Sequence, residues 1–480
     1  MDRTVLTRAD FPKVDREQWL SLVSKSLGDE AGMAALSHET DDGISVAPLY
    51  DRAEGAQALP RVQPSVPWTI IQRIDDPDEA RANVQAREDL EQGATGLSLI
   101  FAGAPNAFGY GLPSGPQALE AVLADIPLRD VRLRIDVHPQ SRASIDWVAH
   151  LLQGRRVDPQ KLSLSFGIDP ASLFAGTGRL RMSIDALEAS MPQSLAGFFA
   201  LALPGVLLEA DGRVFHNAGA TEAQELGIML SSAVSHLRMF EQARQPLVYA
   251  APHIGFATSV DQNQFLSMAK IRAVRKLWAR MLETCSIEPS PVTIHAETSY
   301  RMMTRRDPET NILRSTIAAF AAAAGGADSI AVLPHTITHG LPDGFARRLA
   351  RNTQLLLSGE SHLDFVADPA AGSGAIESLT AGLCEKAWEE FRRIESEGGV
   401  LRSLANGHIQ KRVMQARARR QVKYADGARA IVGTTVYRTE KERPINILKA
   451  SRQPMPDDGA VSCEKLSAVR IDEALASAGD

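Results

Sequence analysis

The 480 residues carry a formal net charge of −6, with 23% charged and 44% hydrophobic side chains, the balance of an ordinary soluble globular chain. That charge argues against a nucleic-acid partner, and the basic cluster from Lys411 to Lys423 reads as the solvated face of a helix. Three cysteines, Cys285, Cys384 and Cys463, stand far apart with no Cys-x-x-Cys pair, which argues against a zinc knuckle or redox motif and fits a reducing compartment.

The N-terminus lacks a signal-peptide core, and no run of about 18 apolar residues could span a bilayer, so the expected location is cytoplasmic with no membrane partner. Past Asp10-Phe-Pro-Lys, Trp19, Leu20, Val23 and Leu27 fall on one stripe of an amphipathic helix. Residues 31–67 read as an extended arm: Ile44, Val46, Leu49 and Tyr50 suit a strand, and Pro60–Pro67 is too irregular for a helix. Such an arm wraps either a neighbouring subunit or its own barrel.

From Trp68 a regular pattern sets in. Eight apolar runs, each followed by a helix-like segment, are expected as strands: Trp68–Ile74, Gly96–Phe101, Val131–Val137, Lys161–Phe166, Gly205–Glu209, Leu247–Ala251, Val292–Ile294 and Ser329–Leu333. Helices are expected at Asp78–Glu91, Gln117–Ala124, Ser144–Leu152, Ser183–Ala189, Thr221–Glu241 and Asp261–Glu283. Strands alternating with helices call for right-handed crossovers and a parallel sheet, and eight repeats suit a closed (β/α)8 barrel. The rival, an open doubly wound sheet, would usually carry a Gly-rich turn after its first strand, and Ile71–Asp76 has no glycine. Helices are also expected at Ala346–Ser358, Ile376–Glu397 and Ser403–Arg420, followed by an irregular tail that ends on a short helix at Leu466–Leu475. The division is therefore an N-terminal helix and arm (1–67), an α/β barrel (68–358) and a C-terminal helical extension and tail (359–480).

Several groups could do chemistry at the barrel rim. His295 and Glu297 are expected just past the seventh strand, at the end where parallel barrels do their chemistry, and could bind a polar substrate or move a proton. The plainer reading is a rim pair that satisfies loop backbone. His216-Asn-Ala-Gly-Ala-Thr precedes a helix, where Thr221 suits an N-cap and free amides suit an anion. Tyr110 lies in a Gly-rich loop after the second strand and could face a ligand. Asp136 and His138 lack a third ligand for a metal, and His335 and His339 sit four apart in a Pro- and Gly-punctuated loop, so no metal site is expected.

Read together, several stretches resemble the methylmalonyl-CoA mutase family. They are Pro67-Trp-Thr-Ile, His216-Asn-Ala-Gly-Ala-Thr with Gln224-Glu-Leu-Gly, Thr304-x-x-Asp-Pro-x-x-Asn-Ile-Leu-Arg314, Ala350-Arg-Asn-Thr-Gln and Asp368-Pro-Ala-Ala-Gly-Ser. The resemblance implies a (β/α)8 barrel, an adenosylcobalamin cofactor and the interconversion of methylmalonyl-CoA and succinyl-CoA. The departures point to the small-subunit type. Arg73 stands where catalytic chains carry a tyrosine that helps control the radical. Gly167-Ile-Asp replaces Gln-Asn-Asp, Phe215-His216 lies two residues closer to Ala-Gly-Ala-Thr, Glu297 replaces glutamine and Arg301 replaces tryptophan.

The cobalt-ligating Asp-x-His-x-x-Gly loop of the family's cobalamin module has one near match, Asp136-Val-His-Pro-Gln-Ser141, placed at a barrel strand and ending in serine. The implied protein is a non-catalytic small subunit paired in a heterodimer with a large catalytic subunit. The partner would hold most of the adenosylcobalamin, and the acyl-CoA candidates on this chain would be His216, His295, Glu297, Tyr110 and Arg73. The alternative is an active acyl-CoA barrel that uses a cobalamin-binding domain on a separate chain. An unrelated barrel enzyme, such as a metal-dependent aldolase, is a third reading.

Overall fold

A computed structural model describes residues 15–27, 35–200 and 202–473. The Asp10-Phe-Pro-Lys motif lies outside them. Eight parallel strands close on themselves: β1 Thr69–Ile74, β2 Gly96–Leu99, β3 Arg132–Ile135, β4 Ser163–Ile168, β5 Gly205–Asp211, β6 Ile254–Val260, β7 Ile294–Thr298 and β8 Ser329–Ala331. Each pairs with its neighbour in sequence, and β8 pairs with β1 through Ile330 and Ile70. This is the expected (β/α)8 barrel.

The strands alternate, as a barrel requires. On β1, Gln72 points outward, donating to Asp89 at 3.0 Å and to the Arg347 carbonyl at 3.2 Å, so Arg73 must point into the lumen. At the foot of the lumen, Gly96 has no room for a side chain: a Cβ there would lie 2.6 Å from Ile71 Cδ1.

Around the barrel run α2 (Glu79–Glu91), α3 (Pro116–Val122), α4 (Ser144–Arg155), α5 (Pro170–Thr177), α6 (Ile184–Ala200), α7 (Arg213–Ala218), α8 (Glu222–Gln242), α9 (Gln264–Thr284), α10 (Thr310–Ala324) and α11 (Gly344–Gly359), after an N-terminal α1 (Arg16–Leu27). Their starts are capped as the sequence allows. Asp78 accepts from Arg81 N on α2, and Thr221 and Gln224 form a capping box on α8. Then come α12 (Gly374–Ser396), packed across α8 and α9, α13 (Val400–Ala405) and α14 (His408–Ala425).

Several expectations need correction. The sixth strand is Ile254–Val260; Leu247–Ala250 is a turn of helix after Pro246, with Val248 and Tyr249 exposed. The true strand was masked by its small residues Gly255, Ala257 and Ser259, which weaken its apolar signal. The seventh strand extends to Thr298, so His295 and Glu297 lie inside it and not past its exit. The expected helix at Ser183–Ala189 runs on to Ala200 through Pro192, and α5 precedes it.

Among the described residues of the arm, strand pairing is limited to His38–Glu39 with Ser45–Val46, and Leu49 and Tyr50 stay outside it. The arm lies on its own chain, with Leu59 N donating to Asp368 at 2.7 Å and Val62 N to Asp328 at 2.6 Å. The expected closing helix does not start at Leu466: residues 466–470 are not helical, Ile471 and Asp472 form a turn, helix begins at Glu473, and the remainder of the expected span lies outside the described residues. The amides of Leu466, Val469 and Ile471 bind the carbonyls of Ala175, Asn217 and Arg301. No helix among the described residues is long and apolar enough to cross a membrane.

Candidate functional site

Side chains on strands that are not neighbours in the sheet can meet only across the barrel's interior. Arg73 on β1 reaches Glu297 on β7 at 3.2 Å, and Arg134 on β3 pairs with Glu209 on β5. Arg213, at the head of α7, holds Asp136 beyond β3, Asp211 at 2.7 Å and Glu297 at 3.4 Å. Asp75 closes the chain, bound by Arg73 at 2.9 Å and by Arg347 of α11 at 2.7 Å. The lumen is thus spanned by one continuous arginine–carboxylate network, and Arg213 and Asp136 at its centre are 0% exposed.

The mouth above Arg73 is roofed. Phe108, from the loop after β2, stacks on Tyr300, from the loop after β7, with ring centroids 4.3 Å apart. The Arg73 guanidinium lies 5.1 Å from the Phe108 centroid and also donates to the Asn106 carbonyl.

Burial and pairing compete in setting the charge of these groups. Burial would raise Asp136, but Arg213 and Arg134 hold it well below the usual carboxylate range. Asp75 is lowered in the same way by Arg347 and Arg73, against its own burial. Glu209 goes the other way: burial pushes it up to about 7 against the pull of Arg134, and Asp211 and Asp136 add to the rise. The lumen therefore sets Glu209 and Asp211, both raised by burial, beside Asp136 and Asp75, which their arginines keep ionised.

The structure brings Arg73 and Glu297 into direct contact. His295 lies in the same strand as Glu297, but its Nδ1 is 2.9 Å from Ser329 Oγ and its Nε2 has no partner among the described residues. Burial, then Arg134 and Arg213, keep it neutral. His216 lies behind the wall of the barrel. Its Nδ1 is 3.0 Å from Glu225, its Nε2 is 2.9 Å from Ser299, and burial with Arg301 and Lys270 nearby holds it neutral. Tyr110 is half-buried outside the lumen, its hydroxyl near Gly340.

Sequence reasoning missed Arg134, Glu209, Asp211 and Arg213. Their signal was an alternation of charges with period two, Arg132-x-Arg134-x-Asp136 and Glu209-x-Asp211-x-Arg213, in runs too apolar on the other face to be loops.

The residues do not fit the corrinoid that the family resemblance implies. His138, in the near match to the cobalt-ligating loop, is 0% exposed and packed between Phe101 and Trp147, with centroids 4.8 and 5.6 Å away. Burial holds its imidazole down at about 3. Among the described residues, no group of three or more His, Cys, Asp or Glu side chains is placed to hold a metal ion.

The geometry defines a (β/α)8 barrel whose interior is an ionic plug, with the polar groups of its mouth bonded to one another. A model of the methylmalonyl-CoA mutase family matches residues 114–478, and the chain belongs to that family of isomerases. The chain is 36% identical over 488 aligned residues to the methylmalonyl-CoA mutase small subunit of Streptomyces virginiae, across 97% of this chain and 76% of that one. It is 30% identical to the small subunit of Propionibacterium freudenreichii subsp. shermanii, across 90% and 70%. To the methylmalonyl-CoA mutase large subunit of Streptomyces virginiae it is 27% identical, across 96% and 66%.

The motifs that carry the resemblance act here as staples. Trp68 Nε1 donates to Gln354 at 3.1 Å and Arg351 binds Asp89, which fastens α11 to β1 and α2. Thr304, Asn311 and Arg314 tie the loop after β7 to itself, with contacts of 2.8 to 3.0 Å.

Proposed function

We propose that this chain is the small, non-catalytic subunit of a two-chain methylmalonyl-CoA mutase, paired in a heterodimer with a large subunit that binds acyl-CoA and adenosylcobalamin. One observation carries the reading: the interior in which a thioester would have to lie is occupied by Arg73, Arg134 and Arg213 with their carboxylates. Opening it would strand several buried charges at once, and breaking even one buried pair costs about 3–5 kcal/mol. The greater identity to a small than to a large subunit of the same organism points the same way. Arg73, His295, Glu297, His216 and Tyr110 are then structural groups. Arg73 neutralises Glu297 and Asp75, and His216 links Glu225 to Ser299. This chain's contribution would be interface area and stability, on a buried face of about several thousand Å².

The test is a reconstitution. Alone, or with a separate cobalamin-binding chain, the protein should show no conversion of methylmalonyl-CoA to succinyl-CoA. Co-purification from the native cell should bring a large subunit with it, and activity should track that partner. Turnover in the absence of any full-length large subunit would overturn the reading in favour of an active barrel.

A further inference from the structure

Outside the lumen, a cleft with a volume of about 720 Å³ lies between the arm, the first turn of α9 and α14. Its wall includes Arg301, Arg417, Arg420, Arg429, Tyr424 and Phe265. We propose that this cleft binds an organic polyanion of nucleotide size, with its phosphates against Arg417, Arg420 and Arg429 and its flat portion against Phe265 and Tyr424.

Asp41 of the arm is bound by three cations: Arg420 at 3.0 Å, Lys423 at 2.9 Å and Arg429 at 2.8 Å. Arg417, one turn before Arg420, makes no ion pair among the described residues. This side of the cleft thus carries four cations, Arg417, Arg420, Lys423 and Arg429, against two carboxylates, Asp41 and Glu39. Across the cleft Arg301 meets two carboxylates, Glu222 at 3.2 Å and Asp261 at 3.1 Å, so that wall is acidic and the cationic surplus lies on the α14 side.

Two guanidinium groups also converge. Arg301 and Arg420, both nearly buried, donate to the same acceptor, the Ala220 carbonyl, at 2.7 and 3.3 Å. The carboxylates of Glu222, Asp261 and Asp41 offset the repulsion between the two, which leaves Arg417, with no ion pair among the described residues, as the guanidinium free to meet an anion in the adjoining cleft. The approach of α14 is built in: Gly219 has φ +123°, and a Cβ on it would lie 2.6 Å from Arg417 Cβ.

The rest of the wall sets the ligand's other half. The first turn of α9, a 21-residue helix capped by Asn263, brings the positive end of its dipole to the cleft. Phe265 in that turn is 57% exposed, an uncovered aromatic face beside a cationic wall. A cleft of this size, with arginines at one side and an aromatic face at the other, suits a phosphorylated molecule that carries a planar ring.

Isothermal titration calorimetry on the whole chain at low salt, with ATP and inorganic pyrophosphate as probes, tests this. Saturable ATP binding is expected. Arg417→Gln should weaken both probes by about tenfold, and raising salt should weaken both further. Phe265→Ala should weaken ATP several-fold and leave pyrophosphate unchanged, because only ATP has a ring to stack. Circular dichroism melts confirm that each variant is folded. No saturable binding of either probe at about 1 mM, or binding indifferent to Arg417→Gln, overturns the proposal. Equal losses of both probes in Phe265→Ala overturn the placement of the ring.

Discussion

The lumen and the cleft beside α14 are both rich in arginine, and they use it in opposite ways. In the lumen Arg73, Arg134 and Arg213 face carboxylates that outnumber them, and one of those, Glu209, gives up charge by taking a proton near neutral pH. In the cleft three cations gather on Asp41, and its carboxyl is held well below the usual range by Arg420, Lys423 and Arg429 against its own burial. A sealed space must balance its charges internally, because an unpaired ion has no water to turn to. An open one can leave a surplus for a ligand. Counting arginines therefore locates no site; counting those without a carboxylate does.

The comparison breaks most sharply at Arg213. Arg213→Met should leave Asp136, Asp211 and Glu297 short of a counter-ion and cost about 3–5 kcal/mol in a denaturant titration. A loss below about 1 kcal/mol would mean that water reaches the lumen, and the sealed-plug reading would fail.

The next effect is one of pH. His138 is kept neutral in the core, with its value lowered from 6.5 to about 3. A histidine lowered on folding binds its proton more readily in the unfolded chain. Its contribution is complete above about pH 6.5 and drains away as pH falls toward 3. His138→Phe, packed against the same Phe101 and Trp147 rings, should remove this share of the acid sensitivity, about 2 kcal/mol at pH 5. Melting temperatures of the two proteins at pH 5 and pH 8 give the readout. His216 and His295, also lowered by burial, should leave a residual slope.

Glu209 has the reverse sign. Its value is raised from 4.5 to about 7, so its favourable share is complete below 4.5 and is lost as pH rises through 7. Glu209→Gln should therefore gain on the native protein between pH 6 and pH 8, by about 1 kcal/mol once the lost Arg134 pair is set against it. Native and variant melting curves that stay parallel across that window would show Glu209 ionised throughout.

These experiments bear on what could be read from the sequence. The barrel was readable because Val, Ile and Leu recur at strand spacing between capped helices, and the family followed from motifs such as Arg351-Asn-Thr-Gln354 and Thr304 to Arg314. The second of these motifs is a local staple whose members bind one another, whereas Gln354 and Arg351 reach Trp68 and Asp89 more than 250 positions away, so the first was legible as a sequence pattern only and not through its contacts. The lumen was not readable in the same way. Arg134 and Glu209 are 75 positions apart, and only closure of the barrel makes them neighbours. His295 and Glu297 were assigned to a rim because a charged residue normally ends a buried strand; here Arg73 and Arg213 make Glu297 tolerable within one. His216 and Tyr110 were grouped with them by loop position, and the fold turned both away.

The smallest effect sharpens the comparison by supplying its control. Arg402 pairs with Asp185 at 2.9 Å, a separation like those inside the lumen, but the two side chains are 48% and 85% exposed. Water solvates both partners whether or not they meet, and holding two long side chains together costs entropy. Arg402→Ala should therefore change stability by no more than about 0.5 kcal/mol, and less still in high salt. Arg213→Met in the same buffer should be insensitive to salt, since its partners lie beyond the reach of mobile ions. If the two arginines cost the same, or respond to salt alike, then the distance between charges sets their worth in this protein and the seal around them does not.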